Sequence, residues 1–297
     1  MKKLILTMVV LWPLATSWAQ LAPPNEMGVT FGQVRVIARD VEAEKKIWIG
    51  LQGVPIKIDG IDVIKFPGMF VFITQGVPAY NEAPGTGVVR ISKNAGGRYN
   101  NWAVAPAGAN NEGNVINHVI LSHKVGSGVL EKLQGQGYRV INNMASDNEP
   151  DDGDVFSTEN MRIDNNQDEK QTLPVISNAI QFDMPRYSRR EALAWYAEVF
   201  GAKPGRGNAV TVPGLVRGLA FGMNTGSPVA PRPSRGYTLD RIGFEVVNLE
   251  AFCKKLESMG IIFEYSYSKT RHKSFASAGI TDPWGVGIEL TEGLNKF

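Results

Sequence analysis

The chain has 297 residues, of which 43% are apolar and 20% charged, a composition that excludes a disordered or collagen-like protein and fits one large or two ordinary domains. Its formal charge of +2 leaves no basic excess to hold a nucleic-acid backbone, so we expect no nucleic-acid partner. Its one cysteine, Cys253, excludes an internal disulfide and a multi-cysteine metal site.

The first segment, 1–19, has the three parts of a secretory signal peptide. Lys2 and Lys3 begin it, an apolar run over 4–12 follows, and small residues precede a cleavage site after Ala19. The alternative is a membrane anchor, but the run is well short of the roughly 20 residues that span a bilayer. No later segment is long and apolar enough to span one. We therefore expect a periplasmic or secreted protein that is free of the membrane after cleavage.

Four stretches of the chain repeat one order of elements, a strand followed by a helix and then by further strands. For the first unit, hydrophobic periodicity predicts a strand at 29–38, a helix near 41–51 and strands at 56–66 and 69–74. For the second unit it predicts a strand at 115–122, a helix near 127–133 and strands near 138–141, 155–158 and 161–164. Between the two lies 78–106, a Gly-, Asn-, Ala- and Pro-rich loop that is a linker or a lid over a site.

The third and fourth units show the same pattern more clearly. The third has a strand at 175–184, a helix at 191–200 and strands at 209–212 and 216–223. Ser188 and Glu191 are spaced as a capping box for its helix, and Gly201 ends the helix. The fourth has a strand from Leu239, a helix at 249–259 capped by Asn248, and strands at 261–269, 274–281 and 286–292.

One such unit cannot bury both faces of its sheet, so we expect the units to pair in chain order. This predicts two tandem domains, 28–166 and 175–297, joined around 167–174. The acidic stretch 147–154 is expected to be a solvated loop. Aligning the first strands of the four units places one residue of each at an equivalent position: Gln33, His118, Ala179 and Arg241.

Four stretches of sequence are characteristic: LDRIGFEV at 239–246, LEAFCKKLESMG at 249–260, DPWGVGIELTEGL at 282–294 and REALAWYAEVFGAKPG at 190–205. With the order of the units, they resemble the vicinal-oxygen-chelate superfamily, the group of glyoxalases, bleomycin-resistance proteins and extradiol dioxygenases. The resemblance is clearer over 175–294 than over 29–166. It implies an α+β fold of tandem glyoxalase-like domains, with four βαβββ units forming two cupped mixed sheets.

The resemblance also implies a divalent metal site, because metal-using members take a His or Gln from the first strand of a unit and a Glu from its last. In the first pair of units this gives an incomplete set of candidate metal ligands: Gln33, His118 and Asp164, with Phe72 where a fourth would stand. In the second pair the first-strand positions hold Ala179 and Arg241, and only the acid Glu289 remains. Extradiol cleavage, which needs two histidines and a glutamate, is therefore not expected.

Arg241 and Glu289 are expected on neighbouring strands, with both side chains in one cup. Two interpretations stay open, a structural salt bridge or a clamp for an anionic or carbonyl ligand. With His118 they form the candidate ligand-binding set. Of the other histidines, His123 is expected at a surface strand end and His272 in a solvated basic loop. Cys253 is expected in the core.

Three hypotheses for function remain open. The favoured one is an exported protein that binds a small molecule in a cup, with no complete metal site and no assigned cofactor. The second is a divalent-metal lyase or isomerase of glyoxalase type that uses Gln33, His118 and Asp164. The third is a structural or partner-binding module whose cups are closed by side chains. The sequence does not decide whether the protein is an enzyme.

Overall fold

A computed structural model of the protein describes residues 20–76, 88–90, 101–103, 111, 113–142, 153–184, 188–223 and 231–297. The segment 1–19, most of the loop 78–106 and most of the acidic stretch 147–154 lie outside these residues. Within the described ranges, no helix is both long enough and apolar enough to cross a membrane.

All four predicted units are present. The first consists of β1 (Val29–Ala38), α1 (Val41–Gly50), β2 (Val54–Ile58), β3 (Ile61–Phe66) and β4 (Met69–Gln75). A separate pair follows, β5 (Val88–Arg90) and β6 (Asn101–Ala103). The second unit consists of β7 (Ile116–Lys124), α2 (Val129–Gly135), β8 (Val140–Asn142), β9 (Gly153–Phe156) and β10 (Arg162–Asp168).

The third unit consists of β11 (Val175–Met184), α3 (Arg189–Phe200), β12 (Lys203–Pro204), β13 (Ala209–Thr211) and β14 (Gly218–Met223). The fourth consists of β15 (Leu239–Val246), α4 (Leu249–Ser258), β16 (Phe263–Ser268), β17 (Ala276–Thr281) and β18 (Gly287–Glu292), followed by a 3-10 turn at Leu294–Lys296. The fold is thus α+β with four glyoxalase-like units, as predicted.

The helix ends confirm two of the three expected signals. The side chain of Asn248 accepts a hydrogen bond from the amide of Ala251 at 3.1 Å at the start of α4. Gly201 ends α3 in the left-handed conformation, with φ of 66°. The capping box at Ser188 was wrong, because its side chain makes no capping hydrogen bond.

Two eight-stranded sheets form, but their composition corrects the expected pairing in chain order. The first sheet has the order β16-β17-β18-β15-β1-β4-β3-β2, so it joins the fourth unit to the first. The second has the order β12-β13-β14-β11-β7-β10-β9-β8 and joins the third unit to the second. The sheets therefore do not coincide with 28–166 and 175–297. In every unit the first strand lies at the edge of that unit's strands, where it can pair with the first strand of another unit. The local sequence therefore does not encode which two units pair.

The register between first strands supports the predicted equivalence of positions. In the antiparallel pair β1–β15, Gln33 lies opposite Gly243 and Arg35 lies opposite Arg241. A twofold relation between the two strands therefore superimposes Gln33 on Arg241. In β7–β11, His118 lies opposite Gln181 and Ile120 opposite Ala179, which relates His118 to Ala179 in the same way.

The helices cover one face of the sheets and leave the other as a cup. The main core is continuous over all four units, and the ring of Phe200 on α3 stacks on Phe244 of β15 with centroids 4.1 Å apart. The hydroxyl of Tyr196 donates to Asp282 at 2.9 Å in the same region. Because α3 belongs to the second sheet and β15 to the first, these contacts hold the two sheets together.

Candidate functional site

The structure divides the predicted site residues between two cups. In the first sheet, β18 places Glu289 beside Gly243, and β4 places Phe72 beside Arg35. In the second sheet, β10 places Asp164 beside Ile120, and β14 places Ala220 beside Gln181. The first cup therefore holds Gln33, Phe72, Arg241 and Glu289 at the four equivalent positions, and the second holds His118, Asp164, Ala179 and Ala220. Gln33 is consequently separated from His118 and Asp164, with which it was grouped.

Glu289 is the centre of a buried polar cluster in the first cup. Its Oε2 accepts hydrogen bonds from Arg35 Nη2 at 2.6 Å and Gln33 Nε2 at 3.1 Å, and its Oε1 accepts one from Tyr265 Oη at 2.8 Å. Its side chain is 3% exposed. Burial by itself raises the pKa of a carboxyl group, but the charge of Arg35, the neighbouring imidazole of His272 and the charge of Arg241 hold the pKa of Glu289 well below its ordinary value. The group is therefore a carboxylate at neutral pH.

The cation that pairs with Glu289 is Arg35, which corrects the expected pair with Arg241. Arg241 instead donates from Nε to Asp240 Oδ2 at 2.8 Å, and its Nη1 lies 3.4 Å from the hydroxyl of Tyr265. Arg241 and Glu289 do share one cup, as predicted, but Tyr265 stands between them. The sequence contained a signal for Arg35, since a residue two positions after Gln33 in a strand faces the same side.

Aromatic rings border the cluster, and one of them corrects the position expected for His272. The His272 ring stacks on Phe275 with centroids 4.1 Å apart, and its Nε2 lies 3.8 Å from Glu289 Oε1. Its side chain is 14% exposed, so it belongs to the cup wall and not to a solvated loop. Arg35 lies over the ring of Phe72, 5.2 Å from its centroid.

Two glycines make room for the side chains around Glu289. A Cβ at Gly243 would come within 2.5 Å of Gln33 Cγ, and a Cβ at Gly279 would come within 2.1 Å of Tyr265 Cε1. Neither position has a positive φ, so space is the reason for glycine there. Tyr265 carried no sequence signal, because its role depends on the neighbouring strand.

Three buried polar atoms of this cluster have no hydrogen-bond partner among the described residues. They are Gln33 Oε1, Arg35 Nε and His272 Nε2. Since Gln33 Nε2 donates to Glu289, its oxygen is an acceptor without a donor, and Arg35 Nε is a donor without an acceptor. The histidine nitrogen can do either, according to the tautomer. Such groups are rare inside proteins because each costs roughly 1–3 kcal/mol.

The other half of the first cup is filled by apolar side chains. Val63, Phe70, Phe72, Phe275 and Leu294 form a buried cluster on this face. Side chains from both described ends of the chain, including Leu21 and Phe297, pack against them. The polar cluster thus lies where β1 of the first unit meets the strands of the fourth unit, beside this apolar filling.

A cavity of about 440 Å³ lies where these chain ends meet β15 and β18. Segment 20–24, Glu245 and Glu292 are among the groups that line it. Glu245 Oε1 accepts from the amides of Gly293 and Leu294, and its Oε2 accepts from Thr291 Oγ1. Glu292 Oε2 accepts from the amide of Leu249 at 3.0 Å, so both acids in the cavity wall are already engaged in hydrogen bonds of the fold.

The second cup holds a smaller polar group. His118 Nε2 lies 3.7 Å from Asp164 Oδ2, which confirms that β7 and β10 bring this pair together, and His118 Nδ1 lies 2.5 Å from Asn117 Oδ1. Arg162 competes for the same acid, since its Nη2 lies 3.4 Å from Asp164 Oδ2 while its Nε binds Asp154 at 2.6 Å.

Neither cup offers a donor set that fits a divalent ion of the expected kind. The first supplies Gln33 and Glu289 with a phenyl ring and a guanidinium at the other two positions. His272 Nε2 also lies 3.8 Å from Glu289 Oε1, but the guanidinium of Arg35, at 2.6 Å, already holds the carboxylate and would repel a cation there. The second supplies His118 and Asp164 with two methyl groups. Metal sites of this sort need at least three protein donors, and the described residues contain no group of three His, Cys, Asp or Glu side chains.

Two further expectations concern single residues. His123 is 2% exposed and its Nε2 lies 3.1 Å from Asn165 Oδ1, so its placement at the surface was wrong. Burial lowers the pKa of His123 to about 4. Cys253 is buried on α4, as expected, and burial raises the pKa of its thiol to about 12.

The comparisons with known proteins agree with this fold. Residues 188–290 match the family model of the glyoxalase/bleomycin resistance protein/dioxygenase superfamily. Glyoxalase I from Zea mays superposes with a TM-score of 0.60 at 10% identity, over 90% of this chain and 94% of that one. A putative dioxygenase from Bacillus subtilis gives 0.58 at 10% identity, over 93% of this chain and 86% of that one. Among curated proteins, none matches the sequence.

At these identities the solved structures share the fold, and they carry no reaction over to this chain. Residues 188–290 therefore resemble the glyoxalase/bleomycin resistance protein/dioxygenase superfamily in sequence, and nearly the whole chain shares the fold of glyoxalase I.

Proposed function

We propose that the protein is an exported member of this superfamily that binds a small polar molecule in the first cup, beside Glu289, without a divalent ion. One observation carries the proposal: Gln33 Oε1, Arg35 Nε and His272 Nε2 are buried and unpaired, although all three side chains lie around one carboxylate. Small-molecule sites use a few polar groups of this kind in an otherwise apolar wall.

This proposal replaces the set of ligand-binding residues that was expected from the sequence. Gln33, Arg35 and His272 would contact the ligand, and Glu289 would hold them in place. Arg241 acts through Tyr265, which it contacts at 3.4 Å. His118 belongs to the second cup and is not part of this site. The guanidinium of Arg35 occupies the place beside Glu289 where metal-using relatives would hold an ion.

A second candidate is a structural or partner-binding module with closed cups. The apolar half of the first cup, filled by Phe70, Phe72 and Phe275, favours it. It differs from the first proposal in one measurable respect, since a closed cup binds no small molecule.

The test is a ligand screen on three proteins. Thermal unfolding and calorimetry of the purified protein are measured with a panel of small carboxylates, amides and hydroxy compounds. Arg35→Lys keeps a cation beside Glu289 but removes the unpaired Nε, and Arg162→Lys makes the same change in the second cup. We expect a ligand that raises the melting temperature of the wild type and of Arg162→Lys but not of Arg35→Lys. A panel without any binder would favour the closed module.

Export rests on the pattern of residues 1–19 and has its own test. Expressed with its full sequence in a Gram-negative bacterium, the protein should be recovered from the periplasm or medium with Gln20 as its first residue. A cytoplasmic product that retains Met1 or Lys2 would contradict export.

A further inference from the structure

We infer that the ligand of the first cup is a small carboxylate that also carries a hydroxyl or N–H group, and that the basic loop 269–273 attracts it. The inference rests on the proposed function, because it names the chemical class that the same site would take. It follows from the charges around the cup and from the kinds of atoms left unpaired.

The basic loop connects β16 to β17 at the edge of the polar cluster. Its residues Lys269, Arg271 and Lys273 give it three positive charges. Arg271 lies over the ring of Tyr265, 4.0 Å from its centroid, and the hydroxyl of that ring binds Glu289. The loop is therefore in contact with the cluster and forms part of its surroundings.

Inside the cup the charges cancel in pairs, so the loop determines the sign of the field. Arg35 pairs with Glu289 at 2.6 Å and Arg241 pairs with Asp240 at 2.8 Å. Among the described residues, Lys269, Arg271 and Lys273 form no salt bridge. The carboxylate of Asp59, which accepts hydrogen bonds from Ser274 at the end of the loop, offsets part of their charge and leaves the loop positive. An approaching anion is therefore attracted, because uncompensated charge at the edge of a low-dielectric cleft concentrates counter-ions.

The unpaired atoms specify the ligand further. Arg35 Nε is a donor that suits a carboxylate oxygen, and His272 Nε2 can donate to the second oxygen in the tautomer that carries its hydrogen there. Gln33 Oε1 is an acceptor, so the ligand must supply a hydroxyl or N–H to it. Glu289 is itself ionised in the site, so a ligand with one negative charge is repelled less than a phosphate dianion. Together these features favour a hydroxy or amido monocarboxylate.

The experiment separates charge from hydrogen bonding with matched compounds. Mandelate has the carboxylate and the hydroxyl, phenylacetate lacks the hydroxyl, mandelamide lacks the charge, and phenyl phosphate replaces the carboxylate. Lactate, propionate and lactamide repeat the comparison at smaller size. By calorimetry we expect each hydroxy acid to bind roughly tenfold or more tightly than its amide, as a charge-assisted hydrogen bond implies. The acid without a hydroxyl and the phosphate should bind more weakly than the hydroxy acid.

The loop is tested with a double variant that keeps every side chain bonded to Glu289, although one of the replaced residues, Arg271, also lies over the ring of Tyr265. Arg271→Gln with Lys273→Gln should lower the association rate of the hydroxy acids and its dependence on salt, but not the binding of the amides. Lys203→Gln with Lys254→Gln removes the same charge from exposed positions elsewhere and should change neither.

The outcomes distinguish this inference from the proposed function. Amides that bind as tightly as the acids, with both lost in Arg35→Lys, would overturn the carboxylate and leave the site in place. Equal effects of the two double variants would overturn the role of the loop. If nothing binds, water satisfies the unpaired atoms, and both the inference and the proposed function are wrong.

Discussion

Replacing Arg35 by Met should destabilise the protein through Glu289. The variant removes the 2.6 Å ion pair and leaves a carboxylate whose side chain is only 3% exposed. Removing one partner of a buried pair costs about 3–5 kcal/mol, and we expect the lower end because Gln33 and Tyr265 still donate hydrogen bonds. At roughly 2–4 °C per kcal/mol for a protein of this size, the melting temperature should fall by roughly 6–12 °C.

The loss should depend on pH in a defined direction. In the wild type the pKa of Glu289 is depressed, so its stabilising contribution is present above the pKa of an unfolded glutamate, about 4.3, and is lost as the pH falls further. Without Arg35, burial is less opposed and the pKa of Glu289 rises, so acid relieves the penalty in the variant. The difference in unfolding free energy between the wild type and Arg35→Met should therefore be largest near pH 7 and shrink towards pH 4.

Urea unfolding at several pH values, followed by circular dichroism, measures this difference. Arg241→Met is the matched control and should cost less, because Arg241 does not contact Glu289 and Asp240 keeps Arg235 at 3.3 Å. The double variant Arg35→Met/Glu289→Leu should recover much of the loss. A loss that does not vary with pH, or a larger loss in Arg241→Met, would refute the assignment of Arg35 as the partner of Glu289.

Three further predictions follow from the same structure. Gly279→Ala should displace Tyr265 and lower the free energy of unfolding in urea by roughly 1–3 kcal/mol. Gly135→Ala is the control and should lower it by nothing, because a Cβ there meets open space. Equal effects of the two variants would contradict the packing around Tyr265. Cys253 should resist maleimide at pH 8 in the native protein and react fully in urea, because burial raises the pKa of its thiol to about 12. Rapid labelling of the native protein would show that the thiol is accessible and would contradict this. After incubation with nickel, zinc or manganese and desalting, the protein should retain less than about a tenth of an equivalent, and a stoichiometric ion would contradict the donor sets in both cups.

The units and the equivalent positions could be predicted because both depend on local pattern. The alternation at 29–38 and 239–246 sets which side chains face the cup, and the register of β1 with β15 confirms it. Phe72 and Asp164 stand where the alignment placed them. The Asp59-Gly60 turn, with φ of 52° and 84°, splits the stretch 56–66 into two strands. The Asp-Gly pair is itself a hairpin signal, which the prediction of a single strand overlooked.

The choice of partners could not be predicted, because it is made between units distant in the chain. Once the first unit pairs with the fourth, Gln33 joins Glu289 instead of His118, and Arg35 lies closer to Glu289 than Arg241 does. His272 looked solvated because its neighbours in sequence are charged. Its actual environment is set by Phe275, which comes three residues later but packs against the opposite half of the cup.

The most direct test of a metal-free ligand site beside Glu289 is a crystal structure of the protein soaked with the tightest-binding hydroxy acid and, separately, with nickel. We predict a carboxylate oxygen about 2.7–3.2 Å from Arg35 Nε and a hydroxyl beside Gln33 Oε1, with no ion in the nickel-soaked crystal. A nickel ion bound to Glu289, or only an ordered water beside Arg35 and His272, would contradict this account.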